Sequence, residues 1–323
     1  MSLGCAEQVV KEVGKIIEND PNAANRGIAV LGGGVMGLTA ARALVKQYFP
    51  KYKIDVYTDK TYKETTSHVA GGQWAPSSVK WNDKSSKAVD AFKAILKSSR
   101  DQFKALGAPY GVSPKTNYSL YRRSGLETAH SLGLIERDDL DRLPFAGMNC
   151  SGYAYKTLLV EPPIFLKRLH NELVAKLGVP AFHKQTFAKP VGDQKLSPDI
   201  AKLKQKIVIN CTGLGAGELF RDPRMSPIKG HLILLPPQKL NYLFSGYECR
   251  DWVQYIFPRQ DGVIVGGTYQ DDKPDTKVNV KVAEHMIGTV KNLFAGMLAP
   301  ACDDKIPTPT EVEKQSEKKI AAG

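Results

Sequence analysis

The spacing of apolar residues along this chain changes period several times, and each change predicts an element. Residues 28–31 are a continuous apolar run, as in a strand buried on both faces. Beyond a glycine cluster, Val35, Leu38, Ala41, Leu44 and Val45 recur at helical spacing, and residues 54–57 form a second short apolar run. Helical period returns over 85–106, with Val89, Phe92, Ile95, Leu96 and Phe103 on one face. Residues 117–121 and 152–159 predict strands. Phe165, Leu166, Leu169, Leu173 and Leu177 set a helix over 162–177, with Pro163 in its first turn and Gly178 at its end. Further strands are predicted at 179–187, 206–210, 228–235, 252–258 and 262–269, and Asp261-Gly262 between the last two is a hairpin signal. Val282, Met286, Val290, Leu293 and Met297 predict a helix over 281–299. Near the start, Val9, Val10, Val13, Ile16 and Ile17 predict a short amphipathic helix, followed by a linker over 19–25. Residues 126–148 read as irregular and polar, and 303–323, rich in lysine and glutamate, as a solvated tail. Alternating strands and helices followed by clustered strands predict an α/β fold with a second, antiparallel sheet.

The first strand runs into Gly32, Gly34 and Gly37 in the order G-x-G-x-x-G, and a helical pattern follows. The second strand ends at Asp59, twenty-two residues after Gly37. Strand, turn, helix, strand and acid together form the dinucleotide-binding fingerprint. Gly32 permits the tight turn, Gly34 leaves room for a pyrophosphate against the backbone, and Gly37 lets helix lie close to strand. The N–H groups of Val35 and Met36 open the helix, where the dipole attracts phosphate. Asp59 can accept from a ribose hydroxyl and would repel a 2′-phosphate, although Lys60 beside it softens that repulsion. Thr65 and Thr66 precede Gly71, Gly72 and Gln73. Such hydroxyls and bare backbone suit a phosphate, and equally a polar turn capping a helix.

Charge and composition narrow the partners. The net charge of +12 is spread along the chain with no block of basic and aromatic residues, so a solvated basic surface is expected and no nucleic-acid partner. No apolar stretch approaches the ~20 residues needed to span a bilayer. Five scattered cysteines without C-x-x-C point to a reducing compartment, and six histidines without ligand spacing point to no metal. Acidic residues near the N-terminus argue against a secretory or mitochondrial leader, and the closing Ile320-Ala321-Ala322-Gly323 is not a peroxisomal address, so an intracellular protein, cytoplasmic or organellar, is expected. Cys211, at the end of the 206–210 strand, reads as a buried structural thiol.

Several stretches in order resemble the D-amino-acid oxidase family of FAD flavoproteins: GIAVLGGGVMGL, VYTDK, ETTSHVAGGQWAP, GYAYKTLLVEPPIFLKRLHNEL, VINCTGLGAGELFRDPRMSPIKGHLILL and YIFPRQDGVIVGGTYQ. They span roughly residues 27 to 270. The resemblance implies a Rossmann-type FAD-binding domain (27–76 and 157–225) interrupted by an antiparallel-sheet substrate domain (77–156 and 226–299), with 1–26 as an N-terminal extension and 300–323 as a tail. It implies FAD as cofactor, held by Gly32, Gly34, Val35, Met36, Gly37, Asp59, Lys60, Thr65, Thr66, Gly72, Gln73, Thr186, Thr212 and Gly213. It also implies hydride transfer from an amino-acid α-carbon to flavin N5, with reoxidation by oxygen.

The resemblance is incomplete. Tyr255 matches one of the family's two active-site tyrosines, while Asp251 stands where the other would fall. No G-x-R-P-type sequence, which carries the family's carboxylate-clamping arginine, follows residue 299, and the glycine-rich closing segment does not follow either. Arg122, Arg123 and Arg250 are the alternative clamps. Two readings follow: an amino-acid oxidase acting on a small substrate with oxygen, or a catalytically impaired oxidase-like subunit of a larger assembly. A partner subunit or homo-oligomer stays open.

Overall fold

The computed structural model describes residues 1–76, 85–120, 124–145, 148, 150–295 and 306–321. In chain order the helices and strands begin with α1 (Ser2–Asn19), β1 (Ile28–Leu31), α2 (Val35–Tyr48), β2 (Ile54–Thr58), α3 (Thr66–Val69), α4 (Ser86–Leu106), β3 (Val112–Ser119), α5 (Ser124–Ser131), β4 (Arg137–Leu140), β5 (Gly152–Val160) and α6 (Pro162–Leu177). They continue with β6 (Phe182–Lys184), α7 (Pro198–Ala201), β7 (Ile207–Asn210), α8 (Gly215–Leu219), β8 (Ile228–Lys229), β9 (Leu232–Leu235), β10 (Tyr242–Cys249), β11 (Trp252–Arg259), β12 (Gly262–Thr268), β13 (Gln270–Asp271), α9 (Val280–Phe294) and α10 (Pro309–Ala321). No helix among the described residues is long and apolar enough to cross a membrane.

The chain divides into two compact units. The first comprises the described residues of Met1–Ala70, Trp81–Val112 and Val160–Ser226. Its sheet has the order β6-β2-β1-β7, and each pair is parallel. All four residues of β1 are buried, as its unbroken apolar run requires. Ala29, Leu31 and Tyr57 pack with Ile200 on one face. Inside β2 an acid is buried: Asp55 is 1% exposed. Its carboxylate meets His183 Nε2 at 3.0 Å, Lys53 Nζ at 3.0 Å and Gln205 Nε2 at 2.8 Å. Burial pushes its carboxyl up, but these partners outweigh that effect and hold it below the usual carboxylate range.

Two expectations change in this unit. The 86–106 helix, expected in the substrate domain, belongs to the first unit, where it packs on α1. Ser98 and Gln102 of α4 donate to Glu7 of α1, so the N-terminal helix is fastened to the body. The strand expected over 179–187 shrinks to β6. Gly178 has φ +81°, and Pro180 opens a 3₁₀ turn over Val179–Ala181 because it has no N–H for a ladder.

The second unit comprises the described residues of Gly71–Lys80, Ser113–Leu159 and Pro227–Gly323. Its main sheet has the order β4-β5-β3-β10-β11-β12-β9. The sheet is mixed rather than purely antiparallel: β10 pairs with β3 in parallel, while β4–β5, β10–β11, β11–β12 and β12–β9 are antiparallel. The Asp-Gly turn is realised, with Arg259 opposite Gly262. Residues 126–148, expected to be irregular, hold most of α5 together with β4, and Leu126 and Ala129 are fully buried. The 228–235 strand splits into β8 and β9 around Gly230.

The expected solvated tail contains α10. Thr308 and Glu311 cap its start, with Thr308 N donating to Glu311 at 2.6 Å and Glu311 N to Thr308 Oγ1 at 3.2 Å. Trp252 Nε1 donates to Pro307 O at 2.8 Å, and Ile306 and Val312 pack against Trp252, Val282 and Met286. Buried Glu313 accepts from Lys229 at 2.9 Å, Lys273 at 3.1 Å and Gln270 at 3.2 Å. A charged composition predicts solvation only when its charges lack partners, and these have partners in the core.

Candidate functional site

The parallel sheet of the first unit collects chemistry at one edge. The C-terminal ends of its strands lead into Gly32 from β1, Asp59 from β2, Gln185-Thr186 from β6 and Cys211-Thr212-Gly213 from β7. Parallel sheets of this kind bind ligands at that edge. Gly32 has φ +116°, and a Cβ there would overlap the Cys211 carbonyl. A Cβ on Gly37 would overlap the Gly32 carbonyl, so helix and turn touch backbone to backbone. Gly34 is the N-cap of α2 and offers no side-chain cap, and the helix's first turn contains no acid. The positive end of the α2 dipole therefore faces an edge that the helix's own side chains leave uncovered.

The neighbours complete this edge. Val35 N donates to Ser67 Oγ at 3.1 Å, so the hydroxyl run at Thr65, Thr66 and Ser67 stands at the start of α2. Thr66 is exposed and Thr65 half-buried. Asp59 and Lys60 are exposed beyond β2, and Thr58 Oγ1 donates to Lys60 O at 2.7 Å and shapes that turn. Thr186 is exposed just after Gln185, whose N–H continues the β2–β6 ladder to Thr58 O at 2.8 Å. Asn210 Oδ1 accepts from Thr212 N at 3.2 Å and Thr212 Oγ1 at 2.7 Å, and Gly213 follows with φ +59°. Burial pushes the Cys211 thiol up to about 12, as expected for a structural thiol rather than a nucleophile.

A family-wide sequence profile, DAO (FAD dependent oxidoreductase), matches residues 27–308. The chain belongs to this family of FAD dependent oxidoreductases. It is 26% identical over 262 residues to a D-amino-acid oxidase of Streptomyces coelicolor, covering 80% of this chain and 75% of that one. Among solved structures, its fold is similar to glycine oxidase from Geobacillus kaustophilus (TM-score 0.53, 17% identity, 84% of this chain and 78% of that one). It is also similar to L-proline dehydrogenase from P. horikoshii (TM-score 0.56, 14% identity, 83% and 76%). The α/β fold and the FAD cofactor expected from the sequence therefore stand at the level of the family. The residues at the sheet edge of this FAD dependent oxidoreductase fit that cofactor: a glycine cradle that side chains would fill, a helix start with glycine at its N-cap for phosphate, and an acid just beyond β2 for a ribose.

The candidates fall in both units. Gly32, Gly34, Val35, Met36, Gly37, Asp59, Lys60, Thr65, Thr66, Thr186, Thr212 and Gly213 lie in the first unit, whereas Gly72, Gln73 and Tyr255 lie in the second. Gln73 Nε2 donates to buried Asn117 at 3.0 Å. Tyr255 stacks on Phe257 at 4.6 Å, and a side chain at Gly266 would overlap its ring. Asp251 sits in the β10–β11 turn with φ +70°. Among the clamp candidates, Arg122 and Arg123 lie outside the described residues. Arg250 donates to Ile306 O at 2.8 Å and lies 3.7 Å from Glu311, so it is engaged with the segment leading into α10. Ser67, Asn210 and Gly33 join this edge without belonging to the sequence-predicted set, and a Cβ on Gly33 would stand 2.7 Å from Thr58 Oγ1. Their signals were present in a third hydroxyl after Thr65-Thr66, an Asn before a turn, and a third consecutive glycine.

Proposed function

We propose that this chain is a FAD-dependent amino-acid oxidase of the D-amino-acid oxidase type. The observation that carries the reading is the glycine cradle at the C-terminal edge of four parallel strands, running into the start of α2, whose N-cap Gly34 has no side chain to cover it. The N–H groups of Met36 and Gly37 would hold the pyrophosphate, the Val35 N–H being engaged by Ser67 Oγ at 3.1 Å, and Asp59 would accept from the ribose. Lys60, Thr65, Thr66, Thr186, Thr212 and Gly213 are the remaining candidate contacts in the first unit. FAD, when bound, supplies the two-electron acceptor for the substrate α-hydrogen, and oxygen would take the electrons on to hydrogen peroxide. The chain's task is orientation, because a hydride acceptor needs little acid–base help from protein. Tyr255, held by Phe257 and Gly266, is the candidate substrate-side residue. The substrate would be a small amino acid, oxidised to an imino acid that water hydrolyses.

A second reading is favoured by Arg250. Its engagement with Ile306 and Glu311 supports a protein that holds FAD but orients amino acids poorly, and that serves as an oxidase-like component of an assembly. Purification under mild conditions, FAD addition, desalting and a visible spectrum test the common part. A colourless protein refutes both FAD-holding readings. A retained flavin band with peroxide from a panel of D-amino acids supports the oxidase, and a retained band without peroxide supports the second reading.

A further inference from the structure

The second unit contains a cavity that neither reading uses. Along β3, Thr116 and Tyr118 alternate with Asn117 and Ser119, so the two pairs point to opposite faces of the sheet. Tyr242 is in register with Thr116, and Phe244 with Tyr118. Ser245 is in register with Ser119 and Tyr255. Asn117 accepts from Ser245 Oγ and Gln73 Nε2, both at 3.0 Å. Tyr255, Ser245, Asn117 and Gln73 therefore share one face, while Thr116, Tyr118 and Tyr242 share the other.

On that other face lies an open pocket of about 540 Å³, bordered by Tyr118, Phe145, Tyr242 and Phe294, with Thr116 and Asn241 as polar members. Phe145 is central to the rings: its centroid is 5.5 Å from Tyr118, 5.1 Å from Tyr242 and 5.7 Å from Phe294. The volume falls within the ~300–1,000 Å³ of small-molecule sites, and the pocket is open to solvent, with four aromatic side chains standing among polar groups. An ammonium stands beside it, since Lys156 Nζ donates to Thr116 Oγ1 at 2.9 Å and the lysine is exposed. No carboxylate belongs to the described lining. Aromatic walls favour a planar ring that can add to their edge-to-face contacts. The lysine, with no opposing acid in the lining, favours a negative substituent on it.

We infer that this cavity is a binding site for a small aromatic anion, one or two fused rings carrying a carboxylate, separate from the face that bears Tyr255. The probe is 2-naphthoate, titrated calorimetrically into the full chain with FAD present. Saturable one-to-one binding is expected. Lys156→Glu should weaken it about fivefold or more. Asn241→Trp, an exposed loop change that would plug the cavity, should abolish it while leaving the melting temperature unchanged. Tyr255→Phe should leave binding unchanged. The neutral 2-naphthamide should bind more weakly than the acid. The inference is overturned by an absence of saturable binding, by equal affinity in Lys156→Glu and Asn241→Trp, by loss of binding in Tyr255→Phe, or by amide and acid binding alike.

Discussion

Glu313→Ala asks whether α10 is truly part of the second unit. The Glu313 side chain is 9% exposed and Lys229 opposite it 8%. Removing one member of a buried ion pair costs about 3–5 kcal/mol, because the survivor is left desolvated. Lys229 keeps Asp275 at 2.9 Å, and Lys273 is 32% exposed and can turn to water, so the lower end applies, about 3 kcal/mol. That is about a hundredfold rise in the opening of α10. Amide hydrogen exchange across Pro309–Ala321 at neutral pH reads it directly. The pH dependence gives a second check. Burial pushes the Glu313 carboxyl up, yet Lys229, Lys273 and Gln270 outweigh that and hold it below its ordinary value of 4.5. A carboxylate depressed in the folded state stabilises above its unfolded value and loses that contribution as pH falls through the folded one. The difference in α10 protection between wild type and variant should therefore be full above pH 4.5 and shrink below it. If protection changes by less than about twofold at neutral pH, the ion cluster does not hold the helix.

Three further outcomes follow. Gly37→Ala should fold but lose FAD by about a hundredfold or more, because the new methyl meets the Gly32 carbonyl and must move the phosphate turn; a flavin-retention assay after desalting reads it. Asp55→Ala should lower stability by about 2 kcal/mol in urea titration, since it strips His183 and Gln205 of their buried acceptor; a change under about 0.5 kcal/mol would refute the role given to that network. Cys211 should resist iodoacetamide at pH 8 in the native protein and react promptly in denaturant, because a thiol raised to about 12 is thiolate in only about one molecule in ten thousand.

The first unit was largely legible from its residues because the information there is local. A glycine turn, an apolar run and an acid at fixed spacing specify strand, turn and helix within a few dozen residues, and β1, α2 and β2 appear where those signals put them. The α6 helix, bounded by Pro162 and Gly178, was legible for the same reason. The helix at 309–321 was partly legible: Thr308-Pro309-Thr310-Glu311 is a capping sequence with proline at the first helical position, but its charged composition outweighed that signal in the reading.

Other features depended on partners far away in sequence. Nothing near residue 313 announces Lys229 and Lys273, which turn a charged stretch from a solvated tail into a docked helix. Nothing near Asp55 announces His183 and Gln205, which make an acid tolerable inside a strand. The parallel pairing of β3 with β10 joins residues more than a hundred positions apart, and that pairing set the two faces of the second sheet. Periodicity fixes which side chains share a face of one strand. Which strands become neighbours, and so which polar groups find partners out of water, is settled only when the whole chain has packed.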